Sequence, residues 1–308
     1  MSILYQSDPV RGRVWQKIFA QHVPDIEFHV GSENVDLSAV EYLIAWEPSS
    51  DLLQALPNLQ IVFSVGAGVD HLDLSVVSPR VQIVRMVEPG IVNGMVEYVT
   101  MCVLALHRNL PEYLGSQANR EWREIDVVPA SSRGVGVLGL GVLGQAVLER
   151  LGTFGYRRYG WSRTLKELPG VCCYAGQEAL NAFLGQCDIL ICLLPLTEAT
   201  RGILDQRLFS ALPRGASLIN VGRGAQLNQD ALLAALDAGQ LSRAILDVVD
   251  PEPLPQAHPF WEHPRIWITP HIASMAQPET AALAVLDNLR RYRSGEPLHG
   301  AVDRDRGY

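Results

Sequence analysis

Three polar residues of the sequence could do chemistry together. Arg223 stands between two glycines, Glu252 stands between two prolines, and His271 follows Thr269-Pro270 in an otherwise apolar stretch. A guanidinium can clamp a carboxylate with two parallel hydrogen bonds. A carboxylate beside an imidazole can hold that ring ready to give or take a proton. These side chains therefore suit the binding of a small acid and a proton transfer to or from it.

Each of the three residues also has a plain structural explanation. Arg223 could form a surface ion pair, Glu252 could be a loop residue, and His271 could be a hydrogen-bonded core histidine. The joint explanation is favoured because all three directly follow strand candidates. Open α/β sheets bind their ligands at the carboxyl ends of the strands. We therefore predict that Arg223, Glu252 and His271 are catalytic.

A glycine motif precedes these residues along the chain, namely Gly139-Leu140-Gly141-Val142-Leu143-Gly144. It follows a strand candidate and opens a helix candidate, the context in which this spacing indicates a dinucleotide site. Gly139 would permit the tight turn, Gly141 the approach of a pyrophosphate, and Gly144 close helix–strand packing. The N–H groups at the helix start, including those of Val142 and Leu143, would face the anion. A strand-to-helix turn without ligand is the alternative.

The end of the next strand candidate indicates which nicotinamide cofactor is bound. An NAD site tends to place Asp or Glu about 20 residues beyond the glycines, where it accepts the ribose hydroxyls. Here the segment reads Trp161-Ser162-Arg163-Thr164, without a carboxylate. Arg163 could pair with a 2′-phosphate, or it could be an exposed surface charge. We predict that Ser162, Arg163 and Thr164 bind NADP(H), with NAD(H) as the alternative cofactor.

The elements that would position these residues alternate between strand and helix candidates, which is typical of α/β proteins with parallel sheets. The second part of the chain carries the clearer series. Its strand candidates are Val135–Leu138, Arg157–Trp161, Ile189–Leu193, Ser217–Asn220, Ala244–Asp247 and Ile266–Thr269, and its helix candidates are Val142–Phe154, Asn228–Ala238 and Pro278–Arg293. At these strand ends we predict further cofactor contacts from Leu194, Pro195, Val221 and Asp247.

The first part of the chain indicates a second domain. Its strand candidates are Ile3–Tyr5, Tyr42–Ala45, Ile61–Val65 and Val81–Val84. The amphipathic stretch Met95–Arg108 would carry the chain into the next domain, and the final helix would return. We predict two Rossmann-like domains with parallel sheets: a discontinuous, flavodoxin-like substrate domain of residues 1–98 and 273–308, and an inserted NADP-binding domain of residues 99–272. A cleft between them would suit a ligand.

A second glycine-containing loop follows the strand candidate Ile61–Val65. Gly66, Ala67 and Gly68 could present consecutive backbone N–H groups, which form a nest suited to a carboxylate. A simple turn between a strand and a helix is the alternative. The loop is therefore a candidate site for the acid group of a substrate.

Charge and cysteine content restrict the classes of protein. The net charge of -8 over 308 residues disfavours binding to nucleic acid or to anionic membranes. We recognise neither a leader segment nor an apolar run of about 20 residues, so we expect a cytoplasmic protein. The five cysteines lack metal-ligand spacing, so no metal site is predicted. The adjacent Cys172-Cys173 leaves a redox-active pair open.

Over nearly its whole length, the sequence resembles the D-isomer-specific 2-hydroxyacid dehydrogenases. The three catalytic segments are the most specific part of the resemblance, because the order Arg223, Glu252, His271 along the chain matches the family. The resemblance implies that Arg223 orients the substrate and polarises its carbonyl, that His271 is the acid/base, and that Glu252 is the partner of His271. It also implies that Gly66 and Ala67 contact the substrate, in a loop that binds its acid group, and that the protein is a homodimer.

Finer marks resemble a bacterial branch of the family that reduces glyoxylate and hydroxypyruvate. These marks are Ala45-Trp46, the Gly66–Asp70 loop, Met95 with Glu97-Tyr98, Trp161–Thr164, Val302-Asp303-Arg304 and Arg306-Gly307-Tyr308. Trp46 and Met95 would wall the substrate pocket and limit it to short acids, or they belong to the core, as bulky apolar residues usually do. His71 departs from the branch, where a small residue is expected, and leaves substrate preference open.

The predicted function is NADPH-dependent reduction of a small 2-keto acid, glyoxylate or hydroxypyruvate, to the 2-hydroxy acid by hydride transfer. One alternative is a dehydrogenase for a larger acid such as phosphoglycerate, which the lack of an extended C-terminal regulatory region disfavours. The other is a dinucleotide-sensing co-regulator without turnover. The presence of all three catalytic residues disfavours a purely binding role.

Overall fold

The chain divides into two compact units. The structure, a computed structural model, describes residues 2–304 and 307. Unit 1 comprises the residues up to Ile91 and those from Met275 onward, and unit 2 comprises Val92–Ser274. The chain thus crosses between units after Ile91 and after Ser274, within a few residues of the predicted positions. Met95 consequently belongs to unit 2, although the sequence prediction assigned it to the first domain.

Unit 1 contains a five-stranded parallel sheet with the strand order β2-β1-β3-β4-β5. The strands are β1 (Ser2–Gln6), β2 (Glu27–Val30), β3 (Val40–Ala45), β4 (Ile61–Ser64) and β5 (Gln82–Val84), and the helices of this unit are α1 (Pro9–His22), α2 (Ser50–Gln54) and α9 (Pro278–Arg293). The sequence prediction missed β2. This strand lies at the sheet edge and keeps only Phe28 buried, so it lacks an apolar run.

Unit 2 contains a seven-stranded parallel sheet with the order β12-β11-β10-β9-β6-β7-β8. Its strands are β6 (Gly134–Leu138), β7 (Arg157–Ser162), β8 (Val171–Ala175), β9 (Ile189–Cys192), β10 (Ala216–Asn220), β11 (Leu241–Leu246) and β12 (Ile266–Ile268), and its helices are α4 (Leu110–Ala118), α5 (Val142–Gly152), α6 (Leu180–Leu184), α7 (Gln206–Ala211) and α8 (Gln229–Asp237). The strand order reverses between β6 and β9, which is the position where open α/β sheets bind ligands. The predicted fold class is confirmed.

Helices cover both faces of the unit 2 sheet, so its central strands are apolar throughout. Strands β6 and β10 are buried along their whole length. Successive side chains point to opposite faces: Leu190 and Leu218 pack in one core cluster, and Ile191 and Ile219 pack in the other. Two packed cores hold this sheet rigid, and its strand ends are therefore fixed positions for functional side chains.

Helix α3 (Pro89–His107) begins in unit 1 and continues into unit 2. It is long and apolar enough to cross a membrane, with a mean hydropathy of 1.4, and 44% of that apolar window is buried inside the protein. Its inward residues Val99 and Val103 are fully buried and belong to the same core cluster as Val135 and Val137 of β6. Packing against the sheet therefore accounts for the apolar character of this inward face.

The C-terminal segment returns to the unit 1 sheet. Val302 N–H donates to Ile83 O at 2.9 Å, so the segment extends the sheet edge next to β5. The guanidinium of Arg304 donates to four backbone carbonyls, those of Leu74, Val77, Ser78 and Val81. Of the C-terminal marks of the resemblance, Arg306 and Tyr308 lie outside the described residues.

Candidate active site

All the sequence-predicted residues of unit 2 except Met95 lie at one edge of its sheet. Because the strands are parallel, their carboxyl ends point the same way. The residues that follow β12, β11, β10, β9, β6 and β7 in spatial order are His271, Glu252, Arg223, Leu194 with Pro195, the glycine motif, and Ser162 to Thr164. The three predicted catalytic residues are therefore carried by three adjacent strands.

The turn between β6 and α5 needs its glycines for reasons that the geometry shows. Gly139 has φ +105, a conformation that L side chains rarely adopt. A Cβ on Gly144 would collide with the carbonyl oxygen of Gly139. A Cβ on Gly141, in contrast, would meet nothing within 4 Å. The space over Gly141 is therefore open for a phosphate to approach the backbone.

The start of α5 offers the donors that an anion needs. Gly141 is the N-cap residue and supplies no side-chain hydrogen bond to the first turn. Val142 is 48% exposed, so the first turn is open to solvent on that side. Unsatisfied N–H groups and the positive end of the helix dipole favour a phosphate there. The residues present thus fit a dinucleotide pyrophosphate, as the motif predicts.

The loop after β7 carries a positive charge where an NAD site would carry a carboxylate. Arg163 and Thr164 are exposed, and the Ser162 hydroxyl donates to Thr164 O at 2.7 Å. That bond gives the Ser162–Thr164 turn a defined shape and leaves the Ser162 oxygen able to accept or share further hydrogen bonds. The loop fits a phosphate on the cofactor ribose better than free ribose hydroxyls.

The loop after β10 holds Arg223 by its backbone. Asn220, fully buried at the strand end, donates from Nδ2 to Arg223 O at 3.3 Å and accepts from Gly222 N–H at 3.2 Å. Gly224 packs directly on the next loop, because a Cβ there would overlap the carbonyl group of Val249. The two glycines beside Arg223 thus serve close packing, while the guanidinium is half-buried at the site.

Glu252 and His271 form the predicted pair. His271 Nδ1 and Glu252 Oε2 are 2.8 Å apart, and the side chains are 36% and 37% exposed. Because an ionised carboxylate only accepts hydrogen bonds, Nδ1–H is the donor and Nε2 is left for another partner. Glu252 is held in turn by Val249 N–H at 3.1 Å. This arrangement can orient an imidazole so that Nε2 faces a ligand.

A buried carboxylate shapes the turn that carries His271. Asp247, 2% exposed, accepts Ile272 N–H at 2.9 Å and Ala273 N–H at 2.8 Å, and it also accepts the Thr269 hydroxyl at 2.6 Å. Its own carbonyl accepts His271 N–H at 2.8 Å. The sequence predicted a cofactor contact for Asp247, which stays a prediction. The observed role, positioning His271, depends on side-chain hydrogen bonds that periodicity does not reveal.

Tyr98 of α3 extends this network. Its hydroxyl lies 2.5 Å from Thr269 Oγ1. The single hydroxyl proton of Thr269 goes to Asp247, so Tyr98 must donate to Thr269. Burial raises the pKa of Tyr98, so this donor keeps its proton at physiological pH. In the sequence analysis Tyr98 was only one mark of the resemblance, because a tyrosine on an apolar helix face does not reveal its hydrogen-bond partner.

In unit 1, the loop after β4 brings Gly66 and Trp46 together. Gly66 packs under the indole, since a Cβ there would lie 2.6 Å from the Trp46 ring. His71 stacks on the same ring, with centroids 3.8 Å apart and planes at 9°. Trp46 is 39% exposed, so it is not a core residue. Its indole is therefore accessible to a ligand, and its contact with the substrate stays a prediction.

The N–H groups of that loop are only partly available to a ligand. Gly66 N–H donates to the buried Ser64 hydroxyl at 3.1 Å, and the same oxygen lies 3.3 Å from His71 Nε2. The expected nest of consecutive ligand-facing N–H groups therefore begins after Gly66, and contact through Ala67 stays a prediction. Ser64 was missed because a serine inside an apolar strand resembles any other buried residue.

Two further predictions concern Met95 and the adjacent cysteines of β8. Met95 is 5% exposed and belongs to a core cluster of unit 2, which fits the core alternative, so its substrate contact stays a prediction. Cys172 and Cys173 are free thiols in β8, where neighbouring side chains point to opposite faces. Burial raises the pKa of Cys173, so its thiol is a poor nucleophile. These features favour a structural role for the pair.

The fold and the site together define a class of protein. The family model described as D-isomer specific 2-hydroxyacid dehydrogenase, NAD binding domain, matches residues 100–273. The chain belongs to this family, as its sequence predicted. A glyoxylate/hydroxypyruvate reductase A of Yersinia enterocolitica is 42% identical over 279 residues, which cover 89% of each chain. Another from Serratia proteamaculans is 39% identical, with 100% of each chain covered.

Comparison with solved structures indicates the same family. A D-isomer specific 2-hydroxyacid dehydrogenase from Xanthobacter autotrophicus Py2, in complex with NADPH and MES, superposes with a TM-score of 0.94 at 37% identity. An NADPH-dependent glyoxylate/hydroxypyruvate reductase from Sinorhizobium meliloti, in complex with NADP and sulfate, superposes with a TM-score of 0.92 at 35% identity. In both comparisons 100% of this chain and 99% of the other are covered.

The pairing of Glu252 with His271 predicts that the reduction depends on the charged acceptor at Nδ1. Glu252→Gln replaces a carboxylate by a neutral amide, so keto-acid reduction should slow at least about tenfold because the imidazole loses the charge-assisted hydrogen bond that orients it. Initial rates of reduction measure the effect. Glu262→Gln, which removes an exposed carboxylate elsewhere in unit 2, is the matched control and should leave the rate unchanged. A rate for Glu252→Gln equal to that of the unmodified enzyme would contradict the role of Glu252.

Proposed function

We propose that this chain reduces short 2-keto acids, with glyoxylate and hydroxypyruvate as substrates, to the corresponding 2-hydroxy acids with NADPH. The observation that carries the proposal is the 2.8 Å pair of His271 and Glu252, which follow the neighbouring strands β12 and β11. Strand β11 in turn lies next to β10, the strand that precedes Arg223. The curated relatives are named for these two substrates and support the choice of acid.

His271, Glu252 and Arg223 have different roles in the reduction. When bound, NADPH supplies the hydride that reduces the keto carbon. His271 protonates the keto oxygen from Nε2, because Nδ1 is held by Glu252. Ionised Glu252 stabilises the protonated imidazole and fixes the plane of the ring. Arg223 binds the substrate carboxylate and stabilises the negative charge that develops on the keto oxygen.

NADP(H) is the preferred cofactor, with NAD(H) as the weaker alternative. The glycine turn and the first turn of α5 hold the pyrophosphate, and Ser162, Arg163 and Thr164 bind the 2′-phosphate of the ribose. Leu194, Pro195 and Val221 line the cofactor site from the adjacent strand ends. The exposed guanidinium of Arg163 supports this choice, and so do the solved relatives that contain NADPH or NADP.

Unit 1 contains further proposed substrate contacts. The loop with Gly66 and Ala67 binds the acid group, and Trp46 limits the substrate to short acids. The support is the close packing of Gly66 under the exposed indole of Trp46. Met95, near the start of unit 2, is proposed as another substrate contact.

The direct test is a cofactor and substrate matrix. Glyoxylate and hydroxypyruvate are each offered NADPH or NADH, and the loss of absorbance at the reduced-nicotinamide band is followed. We expect fast oxidation of NADPH and much slower oxidation of NADH with either acid. Absence of turnover with both acids, while fluorescence titration shows NADPH binding, would contradict the proposal and favour a larger substrate or a cofactor-sensing role.

Cofactor choice can be tested at Arg163. Arg163→Ala should raise the Michaelis constant for NADPH about tenfold, because it removes a charge-assisted contact to the 2′-phosphate. The Michaelis constant for NADH should stay within about twofold, since NADH lacks that phosphate. Arg150→Ala, at the exposed end of α5, controls for the loss of a surface cation in the same unit. An equal effect of Arg163→Ala on both cofactors would remove Arg163 from the 2′-phosphate site.

We further propose that the protein is a homodimer. Several large apolar side chains of unit 2 are strongly exposed, including Met101, Leu110, Leu114, Val127 and, at 98% exposed, Trp122. Leu110 and Leu114 lie one helical turn apart and share a face of α4. Exposed apolar patches of this kind mark protein interfaces. Sedimentation equilibrium should give twice the chain mass of 33.9 kDa, and a monomer mass would contradict the proposal.

We also propose a cytoplasmic location. The five cysteines are all free thiols in the structure, which fits a reducing compartment. Cell fractionation should recover the protein with cytoplasmic marker enzymes, and recovery in a periplasmic or membrane fraction would contradict the proposal.

A further inference from the structure

A single buried amide connects the Arg223 loop to the loop that follows β9. Gln226 is the last residue of the short 3-10 turn Gly224–Gln226, directly after Arg223, and is 0% exposed. Its Oε1 accepts Arg223 N–H at 2.8 Å. Its Nε2 donates to Leu194 O at 3.0 Å and to Pro195 O at 3.1 Å. One side chain thus bridges the proposed substrate arginine and the proposed cofactor loop.

The partners of Gln226 determine which way its amide points. Carbonyl oxygens only accept hydrogen bonds and a backbone N–H only donates, so Nε2 must face Leu194 and Pro195. The thiol of Cys192 donates to Oε1 at 3.6 Å. Burial raises the pKa of Cys192 to about 12, so this donor keeps its proton. Two donors and two acceptor positions of the amide are therefore all used.

Both polar groups of the Arg223 backbone, its N–H and its carbonyl, are hydrogen-bonded. Its N–H is bound by Gln226, and its carbonyl accepts Asn220 Nδ2 at 3.3 Å and Gln226 N–H at 3.2 Å. A Cβ on Gly222 would collide with Gln226 Oε1, so the chain before Arg223 packs directly on the same amide. The Cα of Arg223 is therefore fixed from two directions.

A buried amide whose polar atoms are all hydrogen-bonded indicates that the groups around it must keep a fixed position. Burying an amide costs free energy unless each of its polar atoms is paired, whereas an apolar residue of similar volume fills a core without that requirement. Three of the four side-chain hydrogen bonds of Gln226 hold the Arg223 loop and the Leu194–Pro195 loop, and the fourth comes from Cys192 at the end of β9. Reaction rates are sensitive to such positions, since a misplacement of about 1 Å can cost roughly a hundredfold.

We propose that Gln226 is a positioning residue for the reduction, which holds the backbone of Arg223 against the Leu194–Pro195 loop so that the guanidinium meets the substrate carboxylate at a fixed place. This inference rests on the proposed role of Arg223 in substrate binding. Gln226 touches neither reactant in this arrangement, and it acts through Arg223.

The first test is Gln226→Leu, which keeps the volume and removes every side-chain hydrogen bond. The Michaelis constant for glyoxylate, measured at saturating NADPH, should rise roughly tenfold because the guanidinium loses its fixed position. The dissociation constant of NADPH, measured by quenching of protein fluorescence, should change far less, within about twofold, because the proposed phosphate contacts at the glycine turn and at Arg163 do not involve Gln226. A changed substrate constant with an unchanged cofactor constant is the split that a merely structural residue would not produce.

The second test uses a variant in which protonation restores hydrogen bonds of the replaced amide. In Gln226→Glu, a protonated carboxyl can donate to the Leu194–Pro195 carbonyls while it accepts Arg223 N–H, and burial favours that protonated form. The defect in the glyoxylate constant, relative to the unmodified enzyme at the same pH, should shrink as pH falls. The defect of Gln226→Leu should not change with pH. If Gln226→Leu does not fold by circular dichroism, the pH dependence of Gln226→Glu carries the test.

The matched control lies at the start of β10, the strand that precedes the Arg223 loop. Ser217 is buried at the start of β10 and shares a 2.8 Å hydrogen bond with Ser242. Ser217→Ala removes a buried polar contact from this strand without touching the Arg223 loop, so both constants should stay unchanged.

A parallel Arg223→Lys variant separates the two possible failures. A raised glyoxylate constant in Arg223→Lys together with an unchanged constant in folded Gln226→Leu overturns the positioning role alone. An unchanged glyoxylate constant in Arg223→Lys overturns the proposed substrate role of Arg223, and the inference fails with it. Equal shifts of the glyoxylate and NADPH constants in Gln226→Leu also overturn the inference, because they indicate general loosening of the sheet edge.

Discussion

The buried carboxylate of Asp247 is the interaction on which the site depends. It accepts two backbone N–H groups and one hydroxyl from the segment after β12, and its own carbonyl accepts the N–H of His271. His271 has φ +55, a conformation that a non-glycine residue adopts only when its surroundings impose it. Asp247 and its partners therefore determine where the imidazole stands, before Glu252 or any ligand contributes.

Magnitudes separate the roles of the two carboxylates near His271. Hydrogen bonds to a buried charged group contribute roughly 1.5–3 kcal/mol each, and Asp247 accepts three. An ion pair as exposed as that of Glu252 and His271 contributes about 0–1 kcal/mol to stability. The turn is thus held by Asp247, and the conformational strain of His271 is offset there. The significance of Glu252 lies in the chemistry of the imidazole.

A parallel sheet with one reversal of strand order accounts for the rest of the arrangement. Reversal between β6 and β9 opens a crevice at the carboxyl ends of the strands. The glycine turn and the Arg163 loop lie on one side of that crevice, and the three catalytic segments lie on the other. On the side of the catalytic segments, Gln226 connects the loop after β9, which contains Leu194 and Pro195, with the Arg223 loop. The proposed contacts for cofactor and acid in unit 2 thus lie at neighbouring strand ends of one rigid sheet.

The sequence predicted the parts of this protein that follow from periodicity and motif spacing. Apolar runs predicted six strands of the unit 2 sheet, and the polar residues just beyond them predicted the catalytic edge. Strand β8 was missed although its five residues are all apolar, because the sequence prediction considered Cys172-Cys173 only as a possible redox pair. The positioning roles of Asp247, Gln226 and Ser64 were missed for another reason. Each depends on hydrogen bonds to residues distant in sequence or to backbone turns, which no one-dimensional pattern encodes.

The most direct measurement is a crystal structure of the protein with NADP⁺ and oxamate, an unreactive analogue of glyoxylate. It should show the oxamate carboxylate paired with the guanidinium of Arg223, His271 Nε2 within hydrogen-bonding distance of the oxamate carbonyl oxygen, and Glu252 still bound to Nδ1. Oxamate bound away from Arg223, or an imidazole turned so that Nε2 faces Glu252, would contradict the proposed catalytic arrangement.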